Sequence, residues 1–404
     1  MGSTAWEADD GFFNAGGTVS ESAFVVGESV CPAIDLRETA AGDVVDSPYE
    51  LTIGTGFRDF WCSAFHTQSR LVTSRPFAQR LGFDDELLPF DMLLFVTGAM
   101  AHADKAVDEV GYKNARYYAP ANCGDTFRKR FILRSKRVPG SCRVSNAIIA
   151  TFECELRNQR NELVFSVDRA MLFPLLAGEK ATPYESTPAH EEYDADEHVL
   201  RKQIVASADQ LGALGGVSLR PLEPGTLILH GAARRLSVTQ MAQLATLGRL
   251  VHDRHSNPDR YGDEPEAERL YVPGALCLGL VNSVAGRELH EVLFQTLHSV
   301  NFVNKLHPNE VVTALTYVRS RAESVSGELE KLEVVTLGIK NIPDAAVLEA
   351  HPLPRALFLT DAPLKKNELE AALADHPLIK PENVILQSFR SLYRQAPRYE
   401  PFLL

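Results

Sequence analysis

Over Leu270–Leu289 (LYVPGALCLGLVNSVAGREL) nearly every position is apolar or small, which predicts a helix buried on all sides and entered through Pro273-Gly274. Pro89–Val107 (PFDMLLFVTGAMAHADKAV) has the same character and predicts an earlier central helix. Around these two stretches the period changes. Ile148, Ala150, Phe152, Cys154 and Leu156 alternate with Ile149, Thr151, Glu153 and Glu155, a strand with one buried face. Leu163–Phe173 reads as its partner across a turn at Asn158–Asn161. Gly111–Pro120 is extended, and Gly124-Asp125-Thr126 launches a strand through Arg137. Leu297–Phe302, Glu310–Arg319, Lys331–Ile339 and Asn383–Gln395 read as further strands. Phe57, Phe60, Trp61, Ala64 and Phe65 recur at spacings of three and four and mark a helix within Glu50–Arg70. A short helix follows over Arg75–Phe83, ending at Gly82. Ala23–Val30 is predicted as an edge strand and Ala40–Ser47 as a loop.

The pattern repeats. Leu51-Thr52-Ile53 precedes a helix as Leu236-Ser237-Val238 does, Pro89 opens a buried helix as Pro273 does, and Gly124-Asp125 opens a long strand as Asn309-Glu310 does. The offsets are 185, 184 and 185 residues, which indicates an internal duplication. The predicted organisation is a polar lead-in (1–20), a first unit (21–176), an acidic linker containing HEEYDADEH (177–220) and a second unit (221–404). The second unit carries an insertion at 343–381, with a helix at Leu364–Ala374, and a short surface tail. Each unit is then a helix wrapped by about five antiparallel strands, and joining the two sheets edge to edge would bury an exposed edge of each.

With 404 residues, 45% of them hydrophobic and 23% charged, the chain is sized for two globular units. The net charge of −12 argues against direct nucleic-acid binding, which needs a basic surface. Apolar runs such as Leu93–Val96 are too short for membrane insertion. The opening MGSTAWEADDGFF has neither the basic nor the apolar segment of a secretory signal. None of the six cysteines (31, 62, 123, 142, 154 and 277) forms a CxxC pair, so no metal site is indicated and a reducing, intracellular compartment, cytoplasmic or mitochondrial, is expected.

Several segments in order resemble the MaoC-like hydratases, double hot-dog proteins, and among them the mesaconyl-CoA hydratase (methylmalyl-CoA dehydratase) type. Ser69–Phe83 (SRLVTSRPFAQRLGF), Phe90–Met100 (FDMLLFVTGAM) and Gly111–Phe127 (GYKNARYYAPANCGDTF) are similar to that group in the first half. Arg249–Gly262 (RLVHDRHSNPDRYG), RLYVPGALCLGL and VILQSFRSLYRQAPR are similar in the second. The resemblance implies an α+β tandem hot-dog fold and reversible addition of water to an enoyl-CoA, with no cofactor beyond the CoA of the substrate. Homo-oligomers or a place in a larger complex go with it.

Such chemistry needs a donor for the thioester oxygen, a group that holds water and one that moves a proton. The N–H of Gly274, at a helix N-terminus, is the candidate donor. The family pattern Asp-x-Asn-Pro-x-His falls on Leu250–Arg260 in two registers. One aligns Asn257-Pro258 and puts His255 at the acid and Arg260 at the imidazole; the other takes His252 as the imidazole and puts Leu247 at the acid. The candidate catalytic residues are therefore His252 or His255 for proton transfer and Asp253 or Asp259 for holding water. At the matching place the first half has His66, Gln68 and Arg70. The candidate binding residues are His66, Arg70, Asp91 and Asn257, with Arg128, Arg130 and Arg234 for the CoA phosphates. Two alternatives stand beside the hydratase. One is an acyl-CoA thioesterase using Asp91 or Glu310, and the other a catalytically degenerate binding or structural subunit of a larger assembly.

Overall fold

The computed structural model describes residues 36, 39–99, 106, 108–139, 146–175, 184–185, 198–213, 221–250, 252–263, 270–323, 327–342 and 344–397. In the first half β1 (Val44–Thr52) leads to α1 (Thr55–Ala64), α2 (Arg70–Thr73), α3 (Arg75–Arg80) and the central helix α4 (Phe90–Ala99). The strands β2 (Asp108–Tyr117), β3 (Thr126–Arg137), β4 (Ala147–Arg157), β5 (Leu163–Pro174) and the two-residue β6 (Tyr184–Glu185) follow. Two helices, α5 (Val199–Ala206) and α6 (Ala208–Ala213), cross to the second half. There β7 (Leu227–Leu229), α7 (Val238–Leu247) and the second central helix α8 (Gly274–Ala285) precede β8 (Val292–Phe302), β9 (Val312–Glu323) and β10 (Leu329–Lys340). Helix α9 (Lys366–Leu373) and β11 (Val384–Gln395) complete the chain.

One antiparallel sheet runs β1-β3-β4-β5-β2-β8-β11-β10-β9-β7, with β6 beside β3. Read outward from the centre, β2-β5-β4-β3-β1 on one side mirrors β8-β11-β10-β9-β7 on the other, the duplication made visible. The halves meet where β2 pairs with β8, from Gly111 opposite Asn301 to Ala115 opposite Leu297. That junction covers both edges with hydrogen bonds, as the repeat implies. At Gly111 a Cβ would stand 2.3 Å from the Val300 carbonyl oxygen, so glycine is what lets the seam close.

Helices α4 and α8 pack on each other inside this curved sheet. Both are buried because they offer no polar face: Met92–Val96 and Leu276, Leu278, Leu280 and Val281 are essentially solvent-free. Gly279 lets the pair come close, with the Phe65 and Trp61 rings and Asp91 of α4 lying against it. The C-terminal turn of each helix thereby reaches the N-terminus of the other. Among the described residues no helix is long and apolar enough to cross a membrane.

Several sequence expectations change. Residues 44–47, expected as loop, begin β1, because pairing with β3 satisfies their backbone. The region 177–220 contains α5 and α6; Leu200, Ile204 and Leu211 are buried and hold this crossing segment on the body. The insertion is no loose appendage. Leu348, Leu357, Phe358, Leu369, Leu373 and Ile379 build a second core with Leu315, Val335, Leu337 and Ile339 of the sheet. The edge strand expected at Ala23–Val30 lies outside the described residues.

Candidate functional site

A cavity of about 160 Å³ opens at the N-terminus of α4. Pro89, Phe90 and Asp91 form its helical wall. The entry is anchored by Leu88 N–H donating to Ala121 O (2.8 Å) and Leu87 N–H to Leu71 O (3.1 Å). Opposite lie Trp61, Phe65 and His66 from α1 and its exit, then Asn282 and Ser283 of α8, and Arg390 of β11. Because α8 runs antiparallel to α4, its last turn delivers Asn282 to Asp91, and Asn282 Nδ2 donates to Asp91 Oδ1 (2.9 Å). Burial pushes the Asp91 carboxyl above the ordinary aspartate range; the positive Arg390 and the Asn282 bond oppose that shift.

Arg390 is 4% exposed, and burial lowers its guanidinium to about 10, still protonated at neutral pH. Its terminal nitrogens donate to the neutral groups Gln295 Oε1 (3.1 Å) and Thr336 Oγ1 (3.2 Å). Among the described residues its Nε, like Asn282 Oδ1, has no hydrogen-bond partner. Among the described residues three outside glycine and asparagine adopt the left-handed backbone: His66 (φ 47°), Arg249 (57°) and Glu291 (57°). Two of them, His66 and Glu291, line this cavity, the kind of place where costly backbone conformations concentrate.

The predicted binding residues divide. His66 and Asp91 both line the cavity. His66 is lowered by burial and, to a lesser degree, by the charge of Arg234, which pairs through its backbone with Val312 and does not line the cavity. Arg234 Nε is buried without a partner among the described residues. Arg70 is committed to the wall: its Nε donates to Glu291 Oε2 (2.5 Å) and its side chain lies over Phe77. Arg128 and Arg130 are elsewhere, on β3, where they pair with Glu50 and with Asp46 and Glu155. They flank a surface groove at the outer end of the sheet.

The loop of the predicted acid–base pair belongs to the other central helix. His255, 8% exposed, binds Tyr271 O through Nδ1 (2.9 Å), and burial pulls the imidazole down to about 4. His252 lies beside it, ring centroids 5.7 Å apart, with Nδ1 accepting from Arg254 N–H (3.1 Å). Asn257 and Asp259 are exposed. Asp253 opens the short turn Asp253–His255, and its side chain lies outside the described residues.

The N–H of Gly274 is taken. It donates to Glu109 Oε2 (2.8 Å), and the same carboxylate is gripped by Arg169 of β5. Arg169 also donates to Tyr112 Oη (3.1 Å) and Thr97 Oγ1 (3.2 Å). A Cβ at Gly274 would meet Glu109 at 2.7 Å and the Phe302 ring at 2.8 Å, and one at Gly98 would overlap Arg169. The predicted oxyanion donor thus has an internal anion already bound. Among the described residues no three His, Cys, Asp or Glu side chains gather as metal ligands.

Asn282, Arg390, Glu109 and Arg169 were not singled out by sequence. Each nevertheless breaks an apolar pattern: Asn282 interrupts a buried helix, and the two arginines interrupt buried strands at mirrored places of the duplication.

No protein-family model and no curated protein matches the sequence. Solved structures do match in shape. A putative MaoC domain dehydratase from Chloroflexus aurantiacus superposes with TM-score 0.68 at 17% identity, over 90% of this chain and 98% of that one. A conserved hypothetical protein from Mycobacterium tuberculosis with a double hot-dog fold gives 0.66 at 16%, over 89% and 98%. A MaoC-like dehydratase gives 0.52 at 11%, over 77% and 96%. The fold of this chain is a double hot-dog.

Proposed function

We propose that the chain acts on a short acyl-CoA thioester in the cavity at the N-terminus of α4, as a hydratase or dehydratase. The observation that carries this reading is that one small cavity is lined by a carboxyl, Asp91, and an imidazole, His66, at the start of a buried helix. Phe90 and Asp91 offer first-turn N–H groups to an electron-rich oxygen, where the helix dipole favours developing negative charge. A carboxyl lifted by burial is better matched to proton transfer near neutrality than an ordinary aspartate. Water adding to the β-carbon gives its proton to the Asp91 carboxylate, the α-carbon of the resulting enolate takes a proton back from that carboxyl, and His66 holds and orients the water. The volume suits an acyl group of a few carbons; a cavity of about 150 Å³ holds benzene. Arg234, whose charge reaches His66, is the candidate cation for the phosphates of the carrier. The dehydratases among the structural neighbours agree with this chemistry.

A second reading has its own observation. Glu109 fills the α8 end, and His255 spends Nδ1 on a backbone carbonyl, so a protein that binds the thioester without turning it over is the alternative.

The deciding experiment is an absorbance assay of enoyl-CoA hydration over short straight and branched acyl chains, mesaconyl-CoA included. Wild-type turnover that Asp91→Asn lowers by about 10²-fold or more, with His66→Ala also impaired, supports the enzyme. Binding without turnover selects the second reading. Turnover that survives Asp91→Asn but is lost in His252→Ala/His255→Ala would move the chemistry to the α8 loop.

A further inference from the structure

The other two buried arginines among the described residues have carboxylates in contact: Arg169 with Glu109 and Arg394 with Glu330 (2.6 Å). Arg390 is different. Among the described residues it has no carboxylate within 4.0 Å, although a buried guanidinium without compensation costs several kcal/mol. Its NH2 group instead begins a continuous chain of hydrogen bonds. Arg390 donates to Thr336 Oγ1 (3.2 Å), Thr336 lies 3.1 Å from Thr316 Oγ1, and Thr316 lies 2.9 Å from His230 Nε2. His230 Nδ1 is 2.8 Å from Glu288 Oε2. Thr316 on β9 and Thr336 on β10 are direct cross-strand partners, so the sheet register itself aligns the two hydroxyls. His230, Thr316 and Thr336 are each 0% exposed, whereas the Glu288 side chain is 29% exposed.

With neutral His230 the polarity of this chain is determined. Each group donates to the next, from the guanidinium through both hydroxyls to Nε2, and Nδ1–H ends on the Glu288 carboxylate. Every hydroxyl has both an acceptor and a donor. Protonating His230 would make Nε2 a second donor and strand one hydroxyl hydrogen. The aligned dipoles carry the influence of the Glu288 charge inward to Arg390, whose Nε stays uncommitted among the described residues in a cavity that Asp91 and Asn282 also line.

We propose that His230 is a positioning residue of the α4 cavity: acting through Thr316 and Thr336, it fixes a charged Arg390 opposite Asp91, and Arg390 in turn sets how readily Asp91 ionises. The groups facing Asp91 are Arg390 from β11, Asn282 from α8, His66 beyond α1, and Glu291, neutralised by Arg70, from the turn before β8. Those around Glu288 are His230, Arg287 and Arg234. The effect on turnover rests on the function proposed above; the effect on Asp91 does not.

The test is a ¹³C-carboxyl aspartate NMR titration of the full chain, with the Asp91 signal assigned by its loss in Asp91→Asn. It is repeated for His230→Leu, Thr316→Val, Thr316→Ser and Glu288→Gln. The expected result is an Asp91 midpoint raised by about one pH unit in His230→Leu, Thr316→Val and Glu288→Gln, and restored in Thr316→Ser, which keeps the hydroxyl. The acid limb of kcat/KM should move up with it. If His230→Leu fails to fold, Glu288→Gln at the surface end carries the comparison. Folded variants with an unmoved midpoint overturn the proposal. Wild type without turnover overturns the proposed function, and the titration still decides this one.

Discussion

At the N-terminus of α8 the backbone N–H of Gly274 meets the Glu109 carboxylate, and Arg169 of β5 grips that carboxylate from behind. At the N-terminus of α4 the strand in the mirrored place, β11, supplies Arg390, and what faces the arginine is a cavity with Asp91 and Asn282 on its wall. The two ends descend from one repeated unit, and each combines a helix start, a turn of the opposite helix and a buried arginine. They differ in where the carboxylate sits. Glu109 comes from β2, reaches across the helix end and fills the place a ligand would take. Asp91 is part of α4 itself, so it lines the space and leaves it open. Whether the acid stands on the helix or on a neighbouring strand decides whether the helix end is open or capped.

The sharpest way to break this comparison is Glu109→Ala. It leaves Arg169 buried without its counter-charge and frees the Gly274 N–H, so a loss of about 3–5 kcal/mol is expected in denaturant unfolding. Glu109→Gln, which keeps a hydrogen-bond acceptor, should cost less. A loss under about 1 kcal/mol in Glu109→Ala would mean that the α8 end is not built around the carboxylate.

The next effect concerns His255, whose imidazole burial holds at about 4 against an ordinary 6.5. The folded protein keeps it neutral, while the unfolded chain takes up a proton below 6.5. Stability from this residue is therefore complete above pH 6.5, falls as pH drops toward 4, and levels off below that. The total is up to about 3 kcal/mol. His198, also held at about 4 by burial, adds a second contribution in the same window. His255→Asn, which keeps a donor for Tyr271 O, should lower the slope between pH 6.5 and 4 in unfolding titrations by up to about one proton's share. An unchanged slope would show that His255 is hydrated and available for chemistry, reviving the α8 loop as a reactive site.

How much of this was legible in the sequence follows from period and from partners. The two central helices and eight of the long strands announce themselves because burial on one or all faces leaves a regular apolar pattern. β1 does not, since Asp46, Ser47 and Pro48 interrupt it after two valines and its strand character comes from pairing with β3. Helices α5 and α6 are hidden for the related reason that their few apolar residues are read only against the body they pack on. Of the residues around the cavity, His66 and Asp91 could be named because each is polar in a telling context. Their lining one cavity depends on how the exit of α1 packs against the start of α4, which no local stretch encodes. The occupation of Gly274 by Glu109 joins residues 165 positions apart, and residue type alone gives no hint of it.

Stability should also separate the two carboxyls by sign. Glu109 is partnered by Arg169 and the Gly274 N–H, so removing its charge weakens the fold. Asp91 is a carboxyl whose ionised form burial disfavours, with Arg390 offsetting only part of that penalty. At pH values above its raised folded-state value the protein must either keep Asp91 protonated against solution or bury a charge, and both oppose folding. As pH falls the penalty is relieved, since folded and unfolded states then hold the same neutral acid. Asp91→Asn presents a neutral amide of the same shape to Asn282 and should leave the protein unchanged or more stable by up to about 1 kcal/mol at pH 7, with the gain vanishing toward pH 4. Denaturant unfolding at the two pH values, beside Glu109→Gln, measures the contrast directly. If Asp91→Asn loses stability at pH 7 as Glu109→Gln does, Asp91 is an ordinary ion-pair partner of Arg390. The α4 end would then be a second cap rather than a site that trades stability for chemistry.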